Sequence, residues 1–333
     1  MKSFIAKTFC YLLVLLLLDR CFIFFKDGDH NLFAEIAIQK MKQASAVQKN
    51  VKNPEIIYVG SSHGQFGFAP EVIKKQVGLS SFNLAYGGGS NVGLQIAMLK
   101  KLLKSPVFKP KVIVYAIDVF TLNPKPIYLD NCQEIFFNEK TSLIRLLDRH
   151  LYSCLKLYSN NIPVYFKQLA NGNIKPLFLK KNIYNLSMFE RYDSFKVSAT
   201  GWVKAYGLLN KSYLRYSNLV FNPDPTSVLL LNEYVDICKL NNIKLVFVQV
   251  PEHYFSLVYE KKYKDFNSFM TDFVQQKKVT YLDYNNAEKF PVQQDSLFFD
   301  TDHLNVTGAV LFSERFSIDF IKFLNNKSVT LKL

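Results

Sequence analysis

Short β-branched runs alternate along the chain with longer stretches of helical period. Glu55–Val59 is a short β-branched run ended by Gly60, which predicts a buried parallel strand. Pro70 opens a predicted helix to about Gln76, because proline is tolerated in a first turn. Phe82–Ala85 predicts a second strand running into the glycines 87 to 89, and Val92–Leu103 is apolar at helical spacing. Lys111–Ile117 is the clearest strand. Downstream, Val228–Leu240 predicts a helix, Lys244–Val250 a strand ended by Pro251, Phe255–Phe273 a helix, Val279–Asp283 a strand and Val306–Leu324 a last helix. Residues 130–225 lose the alternation. The pattern predicts an α/β fold, a mostly parallel sheet with helices on both faces, whose ligand site lies at the C-terminal strand edges.

The first segment differs in kind. Phe9–Leu18 is uninterrupted and apolar, and Asp19-Arg20 separates it from a second apolar run, Cys21–Phe25. Together they are near the lower limit for crossing a bilayer. Lys2 and Lys7 precede the run and no small-residue cleavage site follows it, so residues 1–28 are expected to be an uncleaved single-pass anchor. With those lysines inside, the remainder is expected in the periplasm or at the cell surface. Asp19 and Arg20 would each cost about 2.5–3.5 kcal/mol near a helix centre, so they are expected to face a membrane partner. The expected organisation is an anchor at 1–28, the first part of the α/β domain at 29–129, a mainly helical insertion at 130–225 and the second part at 226–333.

Composition narrows the partners. With 49% apolar and 15% aromatic residues, the 333-residue chain can bury a large core, which excludes disorder as its main state. It carries 41 basic and 27 acidic side chains, a formal charge of +14. No Lys/Arg run or RNA-binding pattern accompanies that charge, so an anionic membrane surface or acidic polymer is expected rather than nucleic acid. The five Cys show no zinc spacing, and neither a metal nor an organic cofactor is expected; a Cys132–Cys154 bridge stays open. The insertion is basic, rich in tyrosine and holds the only Trp, Trp202. Such rings either stack on an anionic glycan or form a small core of their own; both readings stand.

Three strand edges hold the candidate chemistry. Gly60-Ser-Ser-His63 follows the first strand, placing the Ser62 hydroxyl at a helix start, where backbone N–H groups can stabilise an oxyanion. Serine is a poor nucleophile alone and needs a base held by a third group. Asp300-Thr-Asp-His303 offers that base and its orienter three residues apart. His63, Asn91, Asp118 and His253 are candidate site-lining residues, whereas Asp302 is expected to face solvent or cap the last helix. Gly60-Ser-Ser-His-Gly64 also satisfies G-x-S-x-G, the nucleophile elbow of α/β-hydrolases, but that fold needs several strands before its elbow.

These residues resemble the blocks of the SGNH/GDSL esterase and acyltransferase superfamily. Gly60-Ser61-Ser62 is similar to the first block, with Ser62 as nucleophile, and Phe82-Asn-Leu-Ala-Tyr-Gly-Gly88 to the second. Asp300 and His303, followed by Leu304, Asn305 and Gly308, resemble the last. The resemblance implies a flavodoxin-like three-layer α/β/α fold, a Ser62–His303–Asp300 triad, and oxyanion N–H donors at Ser62 and Gly88. A third oxyanion donor is normally Asn; this chain has Asp118 at that place and Asn123 further on. With the anchor, it looks most like envelope proteins such as the alginate O-acetylation and D-alanyl-teichoic acid transfer proteins. An acylated polysaccharide substrate and an integral-membrane acyl-transfer partner are then expected. A non-catalytic glycan-binding scaffold is the alternative.

Overall fold

The runs Ile56–Gly60, Val112–Ala116 and Lys244–Gln249 are buried along their whole length, as strands covered on both faces must be. They form β1, β3 and β6 of the computed structural model, which describes residues 40, 54–86, 92–104, 109–122, 196–209, 221–254 and 260–325. β2 (Ser81–Asn83) and β7 (Thr280–Asp283) complete a five-stranded sheet of order β2-β1-β3-β6-β7. Every neighbouring pair is parallel. β4 (Lys196–Val197) and β5 (Val203–Lys204) make a separate two-stranded ribbon. The order reverses between β1 and β3, so their C-terminal ends flank the crevice in which a doubly wound sheet places its ligand.

Alternation along the strands creates three layers. Ile56, Tyr58, Val112, Val114, Val246 and Val248 share one core cluster with Ile73 of α2 (Pro70–Val77) and the phenylalanines of α7 (Val306–Asn325). The residues between them point the other way. There Tyr115 meets Tyr234 of α5 (Pro225–Leu240) edge-on at 5.0 Å, and Phe247 meets Phe273 of α6 (Glu260–Lys277) at 6.2 Å. In α7, Phe312, Phe316, Phe320 and Phe323 recur at helical spacing and are buried. Ser313 sits within that stripe because it is used: its hydroxyl accepts from Ala69 N at 2.9 Å and donates to Gly67 O at 3.3 Å. Those bonds fasten α7 to the link between α1 (Ser62–Gly67) and α2. The remaining helices are α3 (Val92–Leu103) and α4 (Val119–Leu122).

Several boundaries differ from the sequence pattern. α5 starts at Pro225 rather than Val228, because the Asp224 carboxylate accepts from both Ser227 N (2.8 Å) and Ser227 Oγ (2.9 Å). The insertion expected at 130–225 is shorter. The chain divides into two units, Lys125–Lys196 and the remainder, and from Val197 the chain belongs to the unit that holds the sheet. Trp202 shows why: it is 4% exposed, lies in the core cluster with α7, and donates Nε1–H to Phe66 O at 3.0 Å. It is therefore a core residue and not a platform for sugars. The expected anchor lies outside the described residues; among the described residues no helix is long and apolar enough to cross a membrane.

Gly60 ends β1 with φ +118°, and a Cβ there would lie 2.3 Å from Ala116 O of the neighbouring strand. Both the backbone region and the strand spacing exclude a side chain. Gly60→Ala is therefore expected to destabilise the fold by about 3 kcal/mol or more. Chemical denaturation checks this; a loss below about 1 kcal/mol would contradict the packing described.

Candidate active site

Two turns meet across the crevice between β1 and β3. In the first, Ser61 is the N-cap of α1, its side chain accepting from His63 N at 3.4 Å, and Ser62 is the first helical residue. Ser62 N–H thus lies outside the intrahelical ladder. In the second, Phe299 N donates to His303 O at 2.8 Å and Phe298 pairs with Leu304, closing a tight loop before α7. Asn305 caps that helix by accepting Gly308 N at 3.0 Å, while its amide donates to Ser296 O (2.8 Å) and Gly207 O (3.0 Å). A Cβ at Gly308 would lie 2.0 Å from Leu297 O, which accounts for the glycine there.

The loop brings three side chains into line. Ser62 Oγ lies 2.8 Å from His303 Nε2, and His303 Nδ1 lies 2.9 Å from both Asp300 oxygens. With Nδ1–H donated to Asp300, Nε2 is the acceptor for the Ser62 hydroxyl. Asp300 Oδ1 also accepts the backbone N–H groups of Asp302 and His303, each at 2.8 Å. Burial pushes its pKa up, but the His303 charge and hydrogen bond, with those two N–H groups, prevail and hold it below the ordinary value. Phe66 of α1 meets the His303 ring edge-on at 5.1 Å and fixes its other side.

Asp118 does not face the crevice as a free carboxylate. It is 1% exposed and both its oxygens have partners. One oxygen accepts Thr121 N (2.9 Å) and Thr121 Oγ1 (3.0 Å). The other accepts the Ser61 hydroxyl and lies 3.1 Å from His63 Nδ1. His63 is itself 6% exposed, so it is no solvated neighbour. Burial would lower its pKa, but the Asp118 bond and the charges of Glu252, Asp118 and Asp302 raise it to about 9.

Asp302 also departs from expectation. It is 6% exposed and accepts from Thr301 Oγ1 at 3.1 Å, rather than facing solvent or capping α7. Burial, then the neighbouring Asp300 and Glu252 charges, push its pKa up to about 6 against the opposing pull of His303 and His63. His253 does not line the site. It is fully buried, with Nε2 2.9 Å from Asp295 Oδ1, its backbone N–H on Thr301 O at 3.0 Å and its ring against Phe298. It therefore buttresses the turn that carries His303.

Gly88 and Asn91 lie outside the described residues. Asn83 was not singled out by the pattern, yet it is wholly buried and central. Its amide donates to Gly64 O (2.9 Å) and Phe68 O (3.0 Å), and its Oδ1 accepts Ala85 N (3.0 Å), tying β2 to the C-terminal end of α1. A polar residue inside an otherwise apolar strand is the signal that points to it. Among the described residues no group of three His, Cys, Asp or Glu side chains has the arrangement of a metal site.

Comparisons with known proteins add little to this geometry. No curated protein matches the chain. Among solved structures, the chain is similar to a candidate acylhydrolase from Bacteroides fragilis at 11% identity and a TM-score of 0.41, covering 87% of this chain and 97% of that one. One protein-family model matches residues 208–325, less than half of the chain, a stretch that includes β6, β7, the Asp300–His303 turn and α7.

Proposed function

We propose that this chain is a serine-dependent acyl-ester enzyme of the SGNH type, an esterase or O-acyltransferase. The observation that carries the reading is the continuous line from Ser62 Oγ through His303 to Asp300 at hydrogen-bond distances. Ser62 Oγ attacks the ester carbonyl as its proton passes to His303 Nε2, and the carbonyl π pair moves onto oxygen. Asp300 holds the imidazole in the tautomer that accepts this proton and stabilises the imidazolium. The oxyanion is met by Ser62 N–H and, on the family resemblance, by Gly88 N–H. Collapse expels the alcohol, which takes the proton from His303, and leaves an acyl-Ser62. Water or a sugar hydroxyl, deprotonated by His303, then attacks the acyl carbon; the bond to Ser62 Oγ breaks and Ser62 regains its proton from His303.

The substrate class rests on the sequence. A basic, tyrosine-rich stretch in 130–225 suits an acidic envelope polysaccharide, although the buried Trp202 takes no part in binding it. The apolar segment before residue 28 suits a membrane anchor beside an integral-membrane acyl-transfer protein, with the site outside the cytoplasm.

A fluorophosphonate probe tests the core of this reading, since an activated serine displaces its fluoride and is phosphonylated. The wild-type protein is expected to label and Ser62→Ala to remain unlabelled at equal folded concentration. Absence of wild-type labelling, with retained binding to acidic glycans, would establish the scaffold alternative instead.

A further inference from the structure

A second acid–imidazole pair, Asp118 and His63, lies beside the triad. His63 follows the nucleophile in sequence, and its ring centroid is 5.3 Å from that of His303. On the premise that Ser62 is the nucleophile, we propose that His63 is a positioning residue. As the counter-charge of Asp118, it makes a carboxylate tolerable beside the developing oxyanion and keeps the Ser61–Ser62 turn seated against His303.

Asp118 stands at the C-terminal end of β3, across from the turn that presents Ser62. An uncompensated negative charge there opposes the negative charge that grows on the carbonyl oxygen. At an effective dielectric of ~20 and a separation of ~6 Å, that opposition amounts to about a hundredfold in rate. His63 removes it by pairing with the same Asp118 oxygen that accepts the Ser61 hydroxyl, so one atom joins the cap of α1 to the imidazole. Thr121 occupies the other oxygen and prevents the carboxylate from rotating away.

The surroundings favour a positive ring. Asp118 approaches it from the β3–α4 turn, Glu252 from the segment after β6, and Asp302 from the 300–303 turn. The His303 ring packs beside it at 5.3 Å, and the Phe120 ring lies 6.4 Å away on α4. The His63 pKa of about 9 agrees with this count of charges. A positive His63 uses Nδ1–H on Asp118 and retains Nε2–H as a second donor.

The test is a double-mutant cycle of His63→Gln and Asp118→Asn, read as kcat and KM on an activated ester and normalised to the fraction of serine titrated by fluorophosphonate. His63→Gln is expected to lower kcat by about a hundredfold with KM nearly unchanged. Adding Asp118→Asn is expected to restore at least about tenfold, since no counter-charge is then needed. In the wild type, kcat should fall as the pH rises through about 9, where His63 loses its proton, and Asp118→Asn should lack that limb. If His63→Gln fails to fold, the Asp118→Asn pH profile alone decides. Additive losses, or an alkaline limb that survives Asp118→Asn, overturn the role of His63. Labelling that survives Ser62→Ala overturns the premise itself, so the two failures are distinguishable.

Discussion

Ser62→Ala and His303→Ala are each expected to lower kcat by about 10⁶-fold, and the double variant to be scarcely worse than either. The reason is geometric. Ser62 Oγ and His303 Nε2 share one proton across 2.8 Å, so either residue without the other has nothing to do in the acylation step. Folding should survive, because neither side chain belongs to the core cluster. Ser61→Ala provides the contrast. It removes an N-cap, worth about 1 kcal/mol of stability, and the bond to Asp118, but leaves the nucleophile in place. Its kcat should fall by far less, by about tenfold. Steady-state kinetics on an activated ester would settle the pairing; inactivation by Ser61→Ala rather than Ser62→Ala would shift the nucleophile by one residue.

Asp300→Asn should cost about 10⁴-fold in kcat while leaving the melting temperature nearly unchanged. An asparagine Oδ1 can still accept the N–H groups of Asp302 and His303 at the same places, so the turn keeps its shape. Its amide, however, now presents N–H to His303 Nδ1. The imidazole must then carry its proton on Nε2, which faces Ser62, and can no longer accept from it. Asp300→Ala should behave differently: it also abandons two backbone N–H groups and should lower stability as well as rate. A full loss of folding in Asp300→Asn would place the main role of this carboxylate in the architecture.

Period and composition carried most of the sheet. Three runs rich in apolar and β-branched residues became β1, β3 and β6, and the phenylalanines of α7 form its buried stripe. The hydrogen-bonded line Ser62–His303–Asp300 was legible because Asp300 and His303 share one turn and Ser62 follows a strand directly. What stayed hidden depends on contacts far apart in sequence. Nothing local to Trp202 says that its indole N–H will reach Phe66 O, so the sequence left a sugar platform and a core residue equally open. Asp118 read as an unfavourable substitution because its partner, His63, is supplied by another strand's turn. Asp302 and His253 are ordinary loop residues until the 300–303 turn folds over them. Charged residues at strand edges take their meaning from whatever the topology brings opposite, and no window of sequence contains that information.

Ser62 and His303 are separated by 241 residues, and His303 lies on the turn that leads into α7. A growing chain therefore exposes Ser62 early, long before residues 300–325 have been made, and during that interval the serine is an ordinary alcohol. On the proposed function it becomes reactive only once α7, whose phenylalanines share a core cluster with β1, β3 and β6, brings the preceding turn and His303 to it. Completion of the core and the onset of reactivity are one event. On that reading, a chain still lacking its last helix is silent towards the esters around it.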